Sequence, residues 1–215
     1  MSDSPFDPTG SAYFHLEDFE DGALNTPGVS ASAVWRVAAP SGFTDSVDAD
    51  DGTINNSGTA GRSFYSGGTQ PSLSITFSAT ALGGNLPTFV GIVWTDVGIV
   101  QSGTSGFGDV TFSAFGPMGI SLGSNIGTNL GNGSAFGSGS LATAEDRFFG
   151  VINLDGISSI TISMNNSVDW EVDHLQYGSA SVTQPVPEPA TMLLFVFGTG
   201  VVVFGRYVRK KIKRN

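Results

Sequence analysis

Short stretches in which apolar and polar residues alternate strictly are the feature that most limits how this chain can fold. Between residues 72 and 79 every second residue, from Leu73 to Ala79, is apolar, and residues 159–164 repeat the pattern. A period of two residues places the apolar side chains on one face of a β-strand. No ten-residue stretch before residue 190 has the periodicity of an amphipathic helix. The sequence therefore predicts an all-β fold.

Eight or nine such strands, separated by turns rich in Gly, Ser, Asn and Asp, are predicted in the main part of the chain. Residues 89–94 and 148–152 are apolar on both faces, which is typical of central strands covered on both sides. Residues 170–177 form the last predicted strand. This pattern favours an antiparallel β-sandwich of jelly-roll type. Two long segments, residues 41–61 and 116–142, are predicted to be loops.

The distribution of charge and the lack of thiols exclude several classes of function. Residues 1–187 contain 18 acidic and three basic residues, so their net charge is −15. A surface this acidic repels phosphate backbones, and we expect no nucleic-acid partner. The chain has no cysteine and only two histidines. Disulfides, thiol nucleophiles and cysteine–zinc sites are therefore excluded, and little remains for a transition-metal site.

The composition of the C-terminal segment changes twice within 30 residues. Residues 179–189 form a polar, proline-rich linker, which neither a helix nor a central strand tolerates. Residues 190–205 carry no charge, and the basic residues of the following tail, residues 206–215, are Arg206, Arg209, Lys210, Lys211, Lys213 and Arg214. A basic run directly after an apolar run holds that end on the cytoplasmic side of a membrane. Residues 190–205 are therefore predicted to form a single C-terminal transmembrane helix.

The length of this apolar run leaves a second interpretation open. A helix of 16 residues is about 24 Å long, whereas the hydrocarbon core of a bilayer is ~30 Å thick. A buried core helix is the alternative for so short a run, but the flanking arginine stems lengthen the span by snorkelling. With the β-sandwich ectodomain assigned to residues 13–178, residues 1–12 remain as a leader remnant or a disordered N-terminus. They contain no secretory signal peptide, so we expect the leader to lie upstream.

The order of these C-terminal parts resembles the PEP-CTERM sorting signal of Gram-negative bacteria. Its parts are the sequence Val-Pro-Glu-Pro at residues 186–189, one short apolar span and a terminal basic cluster. The resemblance implies export, transient anchoring in the inner membrane and processing by an exosortase near the motif. Pro187, Glu188 and Pro189 would then be the residues that the exosortase recognises. Proteins with this signal usually occur in bacteria that make exopolysaccharide, and the processed protein would reach the cell surface or the extracellular matrix.

A calcium ion is one interpretation of the acidic residues near the two ends of the sandwich. In carbohydrate modules with a jelly-roll fold, acidic residues of the first and last strands often meet at a structural calcium, and Glu20, Asp21 and Asp173 are the candidates here. Strand alternation places Asp173 on the same face as Leu175 and Tyr177, where an unpaired carboxylate would be costly. A cation is one way to satisfy it, and hydrogen bonds from turn amides are another. The sequence leaves both open.

Aromatic side chains are the usual groups that stack on sugar rings. Tyr65, beside Gly67 and Gly68, is the candidate for an exposed sugar-binding ring, while the other large aromatic residues with a polar atom are expected in the core. They are Tyr13, Trp35, Trp94, Trp170 and Tyr177. No catalytic residue is predicted, because the chain has no Gly-x-Ser-x-Gly motif. Asp173 and His174, being adjacent in one strand, are expected to point to opposite faces.

The sequence thus predicts an exported, non-catalytic protein whose ectodomain binds exopolysaccharide in a biofilm or cell-surface matrix. Two alternatives stay open. The ectodomain could be a structural matrix component bridged by calcium through its acidic surface, without a discrete sugar site. It could also be a secreted polysaccharide hydrolase, because pairs of carboxylates are easily found among so many acids. Outward faces rich in Ser and Thr occur on binding surfaces and on plain solvated ones, so the sequence does not choose between them.

Overall fold

The protein is described here from a computed structural model. The residues it describes are 5–32, 34–39, 44, 46–47, 61–68, 70–96, 99–100, 109–128, 130, 146–164, 167–168 and 170–180. The structure divides the chain into two units, Met1–Ser181 and Val182–Asn215, and every described residue belongs to the first. The predicted linker beyond Ser181, the apolar run and the basic tail therefore lie outside the described residues. In the described part of the chain, no helix is long and apolar enough to span a membrane.

The described residues form thirteen β-strands and one 3-10 turn at Pro117–Gly119. The strands are β1 (Ser11–Glu17), β2 (Val29–Ala31), β3 (Arg36–Val37), β4 (Phe64–Tyr65), β5 (Ser72–Phe77), β6 (Phe89–Asp96), β7 (Ile99–Val100), β8 (Val110–Phe115), β9 (Ser121–Gly127), β10 (Arg147–Ile152), β11 (Ser159–Ser163), β12 (Ser167–Val168) and β13 (Glu171–Ala180). The prediction of an all-β protein is confirmed.

Two antiparallel sheets contain all but two of these strands. The first sheet has the order β10-β6-β13-β4-β3, and β1 also pairs with β13. The second sheet has the order β2-β5-β11-β8-β9, and β7 and β12 form a small separate pair. β13 is central to the first sheet, because it pairs with β6 along one side and with β4 and β1 along the other. Most sheet neighbours are distant in sequence.

The core lies between the two sheets and is made by the apolar half of each alternating strand. Leu73, Ile75 and Phe77 of β5 pack there with Ile160 and Ile162 of β11, as the alternation predicts. The first sheet contributes, among others, Val90, Ile92 and Trp94 of β6, Phe149 of β10, and Val172, Leu175 and Tyr177 of β13. Burial of one such side chain removes its apolar surface from water, which stabilises the fold by roughly 1.5–3 kcal/mol. These two apolar faces explain why the sheets pack on each other.

The large aromatic residues follow the prediction that most of them are core. Trp35, Trp94, Trp170 and Tyr177 are buried. The Trp35 indole N–H donates to the carbonyl of Ser72 at 3.1 Å, and that of Trp170 donates to the carbonyl of Gln70 at 2.9 Å. Both rings thus satisfy their polar atom without reaching solvent. They are not available to stack on a sugar.

Two expectations about individual strands are wrong. Residues 148–152 were expected in a central strand, but β10 is the last strand of the first sheet and Ile152 is 69% exposed. The segment 116–142, expected to be a loop, contains β9, which pairs with β8. Its residues are mostly Gly, Ser and Asn, which have little intrinsic strand preference, so the pairing with β8 decides the structure. β1 begins at Ser11, two residues before the predicted start of the sandwich.

The outer face of the first sheet is covered by the chain itself. The Phe6 ring lies against Phe89 and Phe148, with ring centroids 4.9 and 5.5 Å apart. It lies over the facing pair Gly91 and Gly150, where a Cβ atom would come within 2.8 and 3.1 Å of the ring. Glycine at both positions therefore makes room for the ring. The N-terminal residue Phe6 belongs to the packed structure of this sheet.

Candidate functional site

The outer face of the second sheet is lined by short hydroxyl side chains. The residues of this face, called the hydroxyl face below, are Ser30, Ser72, Ser74, Thr76, Thr111, Ser113, Ser121, Ser124, Ser159, Thr161 and Ser163, with Phe115 and Ile126. They occupy the alternate positions whose neighbours point into the core. None of them is buried, and none is charged. The face is thus built by the same alternation that builds the core.

The register of the strands arranges the hydroxyl face in rows across the sheet. In the middle row Ser74, Thr161, Ser113 and Ser124 lie opposite one another on four consecutive strands. Neighbouring strands are about 4.8 Å apart, and successive side chains on one face of a strand are about 6.8 Å apart. The Oγ atoms of Ser74 and Thr161 are 3.1 Å apart. The result is a regular array of hydroxyl groups.

A second hydroxyl pair closes one end of this array. The Ser30 and Thr76 hydroxyl oxygens are 2.7 Å apart, and the Thr76 hydroxyl also lies 3.4 Å from the carbonyl of Ser30. Because each hydroxyl can donate one hydrogen bond and accept two, such pairs retain capacity for a further partner. Short side chains also lose little rotamer entropy when they are ordered. The hydroxyl face can therefore exchange hydrogen bonds with a hydroxyl-rich surface at low entropic cost.

The predicted calcium residue Asp173 lies on the first sheet, and its expected orientation is wrong. Asp173 is opposite Val93 on β6, whereas Tyr177 is opposite the core residue Val90. Opposite residues of an antiparallel pair share a face, so Asp173 points to the outer face and Tyr177 to the core. The pairing shifts by one residue between Asp173 and Gln176, and His174 has a φ of 43°. This β-bulge reverses the alternation that the sequence suggested.

Asp173 is fully buried, and its carboxylate is satisfied by hydrogen bonds. The backbone N–H of Val47 and the hydroxyl of Ser46 donate to its Oδ2 atom at 2.9 and 3.0 Å. The backbone N–H of His174 donates to its Oδ1 atom at 2.7 Å. Ser46 and Val47 are themselves buried. Asp173 therefore fixes part of the segment 41–61 on the outer face of the first sheet.

The other two predicted calcium residues, Glu20 and Asp21, are adjacent in the turn after β1, and each accepts hydrogen bonds there. Oε1 of Glu20 accepts a hydrogen bond from the backbone N–H of Arg62 at 2.5 Å. Asp21 accepts from the backbone N–H of Ala23 at 2.9 Å and from the side-chain amide of Asn25 at 2.5 Å. Within the ranges that the structure describes, no group of three or more His, Cys, Asp or Glu side chains is placed to hold a metal ion. A calcium site at Glu20, Asp21 and Asp173 stays a prediction.

Glu17 is a buried carboxylate that the candidate set did not include. Its Oε2 atom accepts hydrogen bonds from the backbone N–H groups of Asn25 and Thr26 at 2.9 and 3.0 Å, and its Oε1 atom from that of Phe19 at 3.2 Å. It thus closes the turn after β1 in the same way that Asp173 holds Ser46 and Val47. Along β1 Glu17 shares a face with Tyr13, which packs against the core, and this spacing is a local sign that Glu17 points inward. Amide-bound carboxylates of this kind stabilise turns.

Tyr65, the candidate sugar-stacking residue, is half-buried in β4. It lies opposite Arg36 and Glu171 in the first sheet. The guanidinium carbon of Arg36 is 5.4 Å from the centre of the Tyr65 ring, a cation–π distance. One face of the ring is therefore occupied by the chain's own arginine. A sugar-stacking role for Tyr65 stays a prediction.

Two core-side tyrosines and one histidine have shifted ionisation. Burial raises the pKa of Tyr177 to about 12, and its hydroxyl donates to the carbonyl of Pro27 at 2.5 Å. Burial likewise raises the pKa of Tyr13 to about 12. Burial lowers the pKa of His15, whose ring is 5.2 Å from the Tyr177 ring and 5.6 Å from the Tyr13 ring. These groups lie where β1 meets β13, so they act on stability and not on the hydroxyl face.

The fold defines a two-sheet, antiparallel β-sandwich, and solved structures of several origins have a distant likeness to it. The cleaved adhesin domain of Lys-gingipain from Porphyromonas gingivalis is 11% identical, with 78% of this chain and 99% of that chain covered and a TM-score of 0.44. The C-terminal family 22 carbohydrate binding module of Clostridium thermocellum Xyn10B is 10% identical, with 81% and 98% covered and a TM-score of 0.40. The catalytic domain of an alpha-1,3-glucanase is 18% identical, with 84% and 31% covered and a TM-score of 0.38. No curated protein sequence matches the chain significantly.

The C-terminal segment carries a PEP-CTERM protein-sorting motif. The model of this motif matches residues 185–211, which include Pro187, Glu188 and Pro189 and the basic residues from Arg206 to Lys211. Lys213 and Arg214 follow directly after the match. The resemblance inferred from the sequence is confirmed. Such a motif marks a secreted protein that is sorted through a membrane-anchored C-terminus.

Proposed function

We propose that this chain is an exported PEP-CTERM protein whose sandwich, of jelly-roll type, binds a neutral polysaccharide of the cell surface or biofilm matrix without cleaving it. Residues 190–205 anchor it in the inner membrane as a transmembrane helix, with Arg206 and the basic tail on the cytoplasmic side. An exosortase recognises Pro187, Glu188 and Pro189 and processes the chain there. The processed protein then reaches the cell surface or the extracellular matrix.

The observation that carries the binding proposal is the hydroxyl face. Residues 1–187 have a net charge of −15, yet none of the hydroxyl-face positions carries a charge. Solvent-exposed sheet faces usually contain Lys or Glu, since charge blocks unwanted association. A face that lacks charge in so acidic a protein favours a neutral, hydroxyl-rich partner. A polysaccharide supplies both donors and acceptors in a repeating pattern.

The geometry favours many weak contacts over one deep pocket. Each exchanged hydrogen bond contributes only about 0.5–1.5 kcal/mol, because water is displaced from both partners. Several rows of hydroxyls meeting one long chain make successive contacts effectively intramolecular, which multiplies the affinity. The half-buried ring of Phe115 and the exposed side chain of Ile126 add apolar contact at two corners of the face. Extended polymers are therefore favoured over short sugars.

A calcium-bridged matrix role is the second candidate, and the acidic charge favours it. Asp18, Glu20 and Asp21 are close in sequence at the turn after β1, and Glu20 and Asp21 would act with Asp173 as calcium ligands in this proposal. Divalent ions could then link copies of the chain without a sugar site. This candidate requires association that depends on calcium and not on the hydroxyl face.

A binding titration distinguishes these functions. The full-length protein in detergent is titrated with the producing organism's exopolysaccharide, with calcium and then with a chelator. We expect saturable binding that Thr161→Lys, at the centre of the hydroxyl face, weakens by about tenfold, which corresponds to 1.4 kcal/mol. Thr80→Lys, a matched change in an exposed turn outside the face, should leave the affinity unchanged.

Three results would contradict the binding proposal. Absence of binding by the folded protein in both conditions would exclude a polysaccharide ligand of this kind. Self-association that appears with calcium alone would favour the matrix role. Shortening of the polymer during the titration would show a hydrolase.

A further inference from the structure

Among the described residues, most of the large apolar side chains that are exposed lie at one end of the sandwich. Seven large apolar side chains are exposed among the described residues, and five of them lie in or beside two turns. We call these five the apolar tip: Met118 (93% exposed), Ile120 (59%), Leu122 (37%), Ile152 (69%) and Leu154 (76%). The other two, Val34 and Ile126, lie outside these two turns. Isolated apolar residues need no explanation, but a cluster does.

Contacts between the two turns hold the apolar tip together. The turn between β8 and β9 contains Gly116, and the turn between β10 and β11 contains Asn153 and Gly156. A Cβ atom on Gly116 would lie 3.2 Å from the Leu122 side chain, 3.6 Å from the carbonyl of Gly156 and 3.7 Å from the amide of Asn153. The Asn153 amide donates to the carbonyl of Gly156 at 2.8 Å. The two turns therefore touch, which places their exposed apolar residues at the same end of the sandwich.

The backbone conformation of Met118, the most exposed residue of the apolar tip, is unusual. Met118 has a φ of 58°, a left-handed conformation that a non-glycine residue adopts only at a cost. Hydrogen bonds around it hold this turn, including those from the N–H of Gly119 to the carbonyl of Gly116 at 3.1 Å and from the N–H of Gly116 to the carbonyl of Ile120 at 2.7 Å. The turn thus projects a methionine into solvent where glycine would be less strained. This arrangement suits a side chain that has a partner outside the chain.

The chain leaves the sandwich at the same end. The backbone N–H of Ala180, the last residue of β13, donates to the hydroxyl of Thr88 at 2.8 Å. The carbonyl of the same Thr88 accepts from the backbone N–H of Asn153, between Ile152 and Leu154 of the apolar tip, at 2.8 Å. One residue therefore links the exit of the chain to the apolar tip.

The sequence beyond Ala180 limits the distance to the apolar run. Nine residues, 181–189, separate Ala180 from Ala190, where the uncharged run begins. An extended chain spans at most about 3.6 Å per residue, so roughly 35 Å is the upper limit for this connection. A lipid surface that holds the apolar run is within that reach of Ala180.

We propose that the apolar tip inserts into the lipid surface while the protein is anchored, so that the ectodomain has a second, reversible membrane contact. This inference rests on the proposed membrane anchor at residues 190–205. Methionine, isoleucine and leucine side chains fit the boundary between head groups and acyl chains. The tip carries the acidic Asp155 and no basic residue, so the lipid it fits is zwitterionic and not anionic. Removal of the anchor by processing would leave only this weak contact, which then permits release.

Site-specific fluorescence tests this contact, because the chain has no cysteine of its own. Single cysteines are introduced into the full-length protein as Met118→Cys, Ser74→Cys and Val201→Cys, and each is labelled with a polarity-sensitive dye. Each protein is reconstituted into phosphatidylcholine vesicles that contain brominated acyl chains. We expect the dye at position 118 to shift to the blue and to be quenched by bromine, whereas the dye at position 74 on the hydroxyl face is neither shifted nor quenched.

The dye at position 201 separates failure of the inference from failure of the anchor. If position 201 is quenched and position 118 is not, the apolar tip does not insert and the inference is wrong. If position 201 is not quenched either, the anchor itself is wrong. A blue shift at position 118 that grows with protein concentration and without quenching would show that a second copy of the chain covers the tip. Adding Leu154→Ser to the Met118→Cys protein should reduce the quenching at position 118 and leave that at position 201 unchanged.

Discussion

The two sheets use their outer faces in opposite ways. The first sheet covers its outer face with other parts of the chain, Phe6 at one end and Ser46 and Val47 at the other. The second sheet leaves its hydroxyl face open, with neither a charge nor a buried residue on it. Polar groups on the first sheet, such as Asp173, form hydrogen bonds within the protein. In this protein the internally satisfied acids stabilise the fold, and the open hydroxyls form the surface that we propose binds a partner.

A larger side chain in the covered face should have the greatest effect on stability. A Cβ atom at Gly178 would lie 2.5 Å from the carbonyl oxygen of Tyr13 and would also overlap the Phe89 ring. Because the backbone of β1 cannot move away, we expect Gly178→Val to lower the free energy of unfolding by about 3 kcal/mol. Urea unfolding followed by tryptophan fluorescence measures the change.

The corresponding change on the hydroxyl face is Ser113→Val, which introduces the same side chain as Gly178→Val. It should change the free energy of unfolding by less than about 0.5 kcal/mol, because no described residue buries the position. Equal losses for the two variants would show that the two faces do not differ as described.

Replacing the buried acid of the first sheet should have the second largest effect. Asp173→Asn keeps the shape of the side chain but removes the charge that the Val47 N–H, the Ser46 hydroxyl and the His174 N–H share. We expect a loss of about 2 kcal/mol, since hydrogen bonds to a charged group are the stronger kind. The change is measured by thermal unfolding with and without calcium.

Calcium separates the two roles considered for Asp173. If the amide and hydroxyl donors alone satisfy the carboxylate, calcium should leave the melting temperature of the unchanged protein where it is. A rise with calcium that disappears in Asp173→Asn would instead support the metal site with Glu20 and Asp21. Asp155→Asn serves as the control, because that carboxylate is exposed and lies outside the proposed metal site.

The third predicted loss of stability concerns the tyrosine that joins the first sheet to the turn after β1. Tyr177→Phe removes the hydrogen bond to the carbonyl of Pro27 and should cost about 1 kcal/mol at pH 8. The pKa of Tyr177 is about 12 in the folded protein against 10.0 when unperturbed. Because the folded protein favours the protonated hydroxyl, its stability is complete below pH 10. That stability is lost as the pH rises from 10 towards 12.

The pH dependence of the free energy of unfolding gives a second measurement on the same variant. Tyr177→Phe should lose stability less steeply between pH 10 and pH 12 than the unchanged protein. Tyr13, whose pKa is also about 12, keeps part of the dependence in both proteins. Identical slopes would mean that the Tyr177 hydroxyl ionises as freely in the folded chain as in the unfolded one.

The parts of the fold that the sequence predicts are those written in local patterns. The alternation in β5 and β11 predicts their inward and outward faces, and therefore half of the hydroxyl face. Nothing local marks the extra residue at His174, so the face of Asp173 was assigned wrongly. The partners of Asp173 are 126 and 127 residues away along the chain, and a single sequence does not contain that contact. β9 was missed for a similar reason, because its Gly, Ser and Asn residues form a strand only beside β8.

The site itself shows the same division. The outward Ser and Thr residues of β5, β8 and β11 can be predicted from their own strands, but those of β9 cannot. The rows exist only through the register of five strands from different parts of the chain. The sorting motif is the opposite case, because its meaning lies in the order of adjacent residues. It could be identified without any knowledge of the fold.

The central place of β13 has a consequence for the order in which the protein is made. This strand is the last of the sandwich, yet β6, β1 and β4 all pair with it. The first sheet therefore lacks its central strand until residues 171–180 have left the ribosome. The sorting segment begins at residue 185, almost immediately afterwards. A chain that stops early thus lacks both a closed sheet and the signal for its processing. The strand that completes the fold and the motif that directs sorting are synthesised one directly after the other, and an unfinished chain has neither.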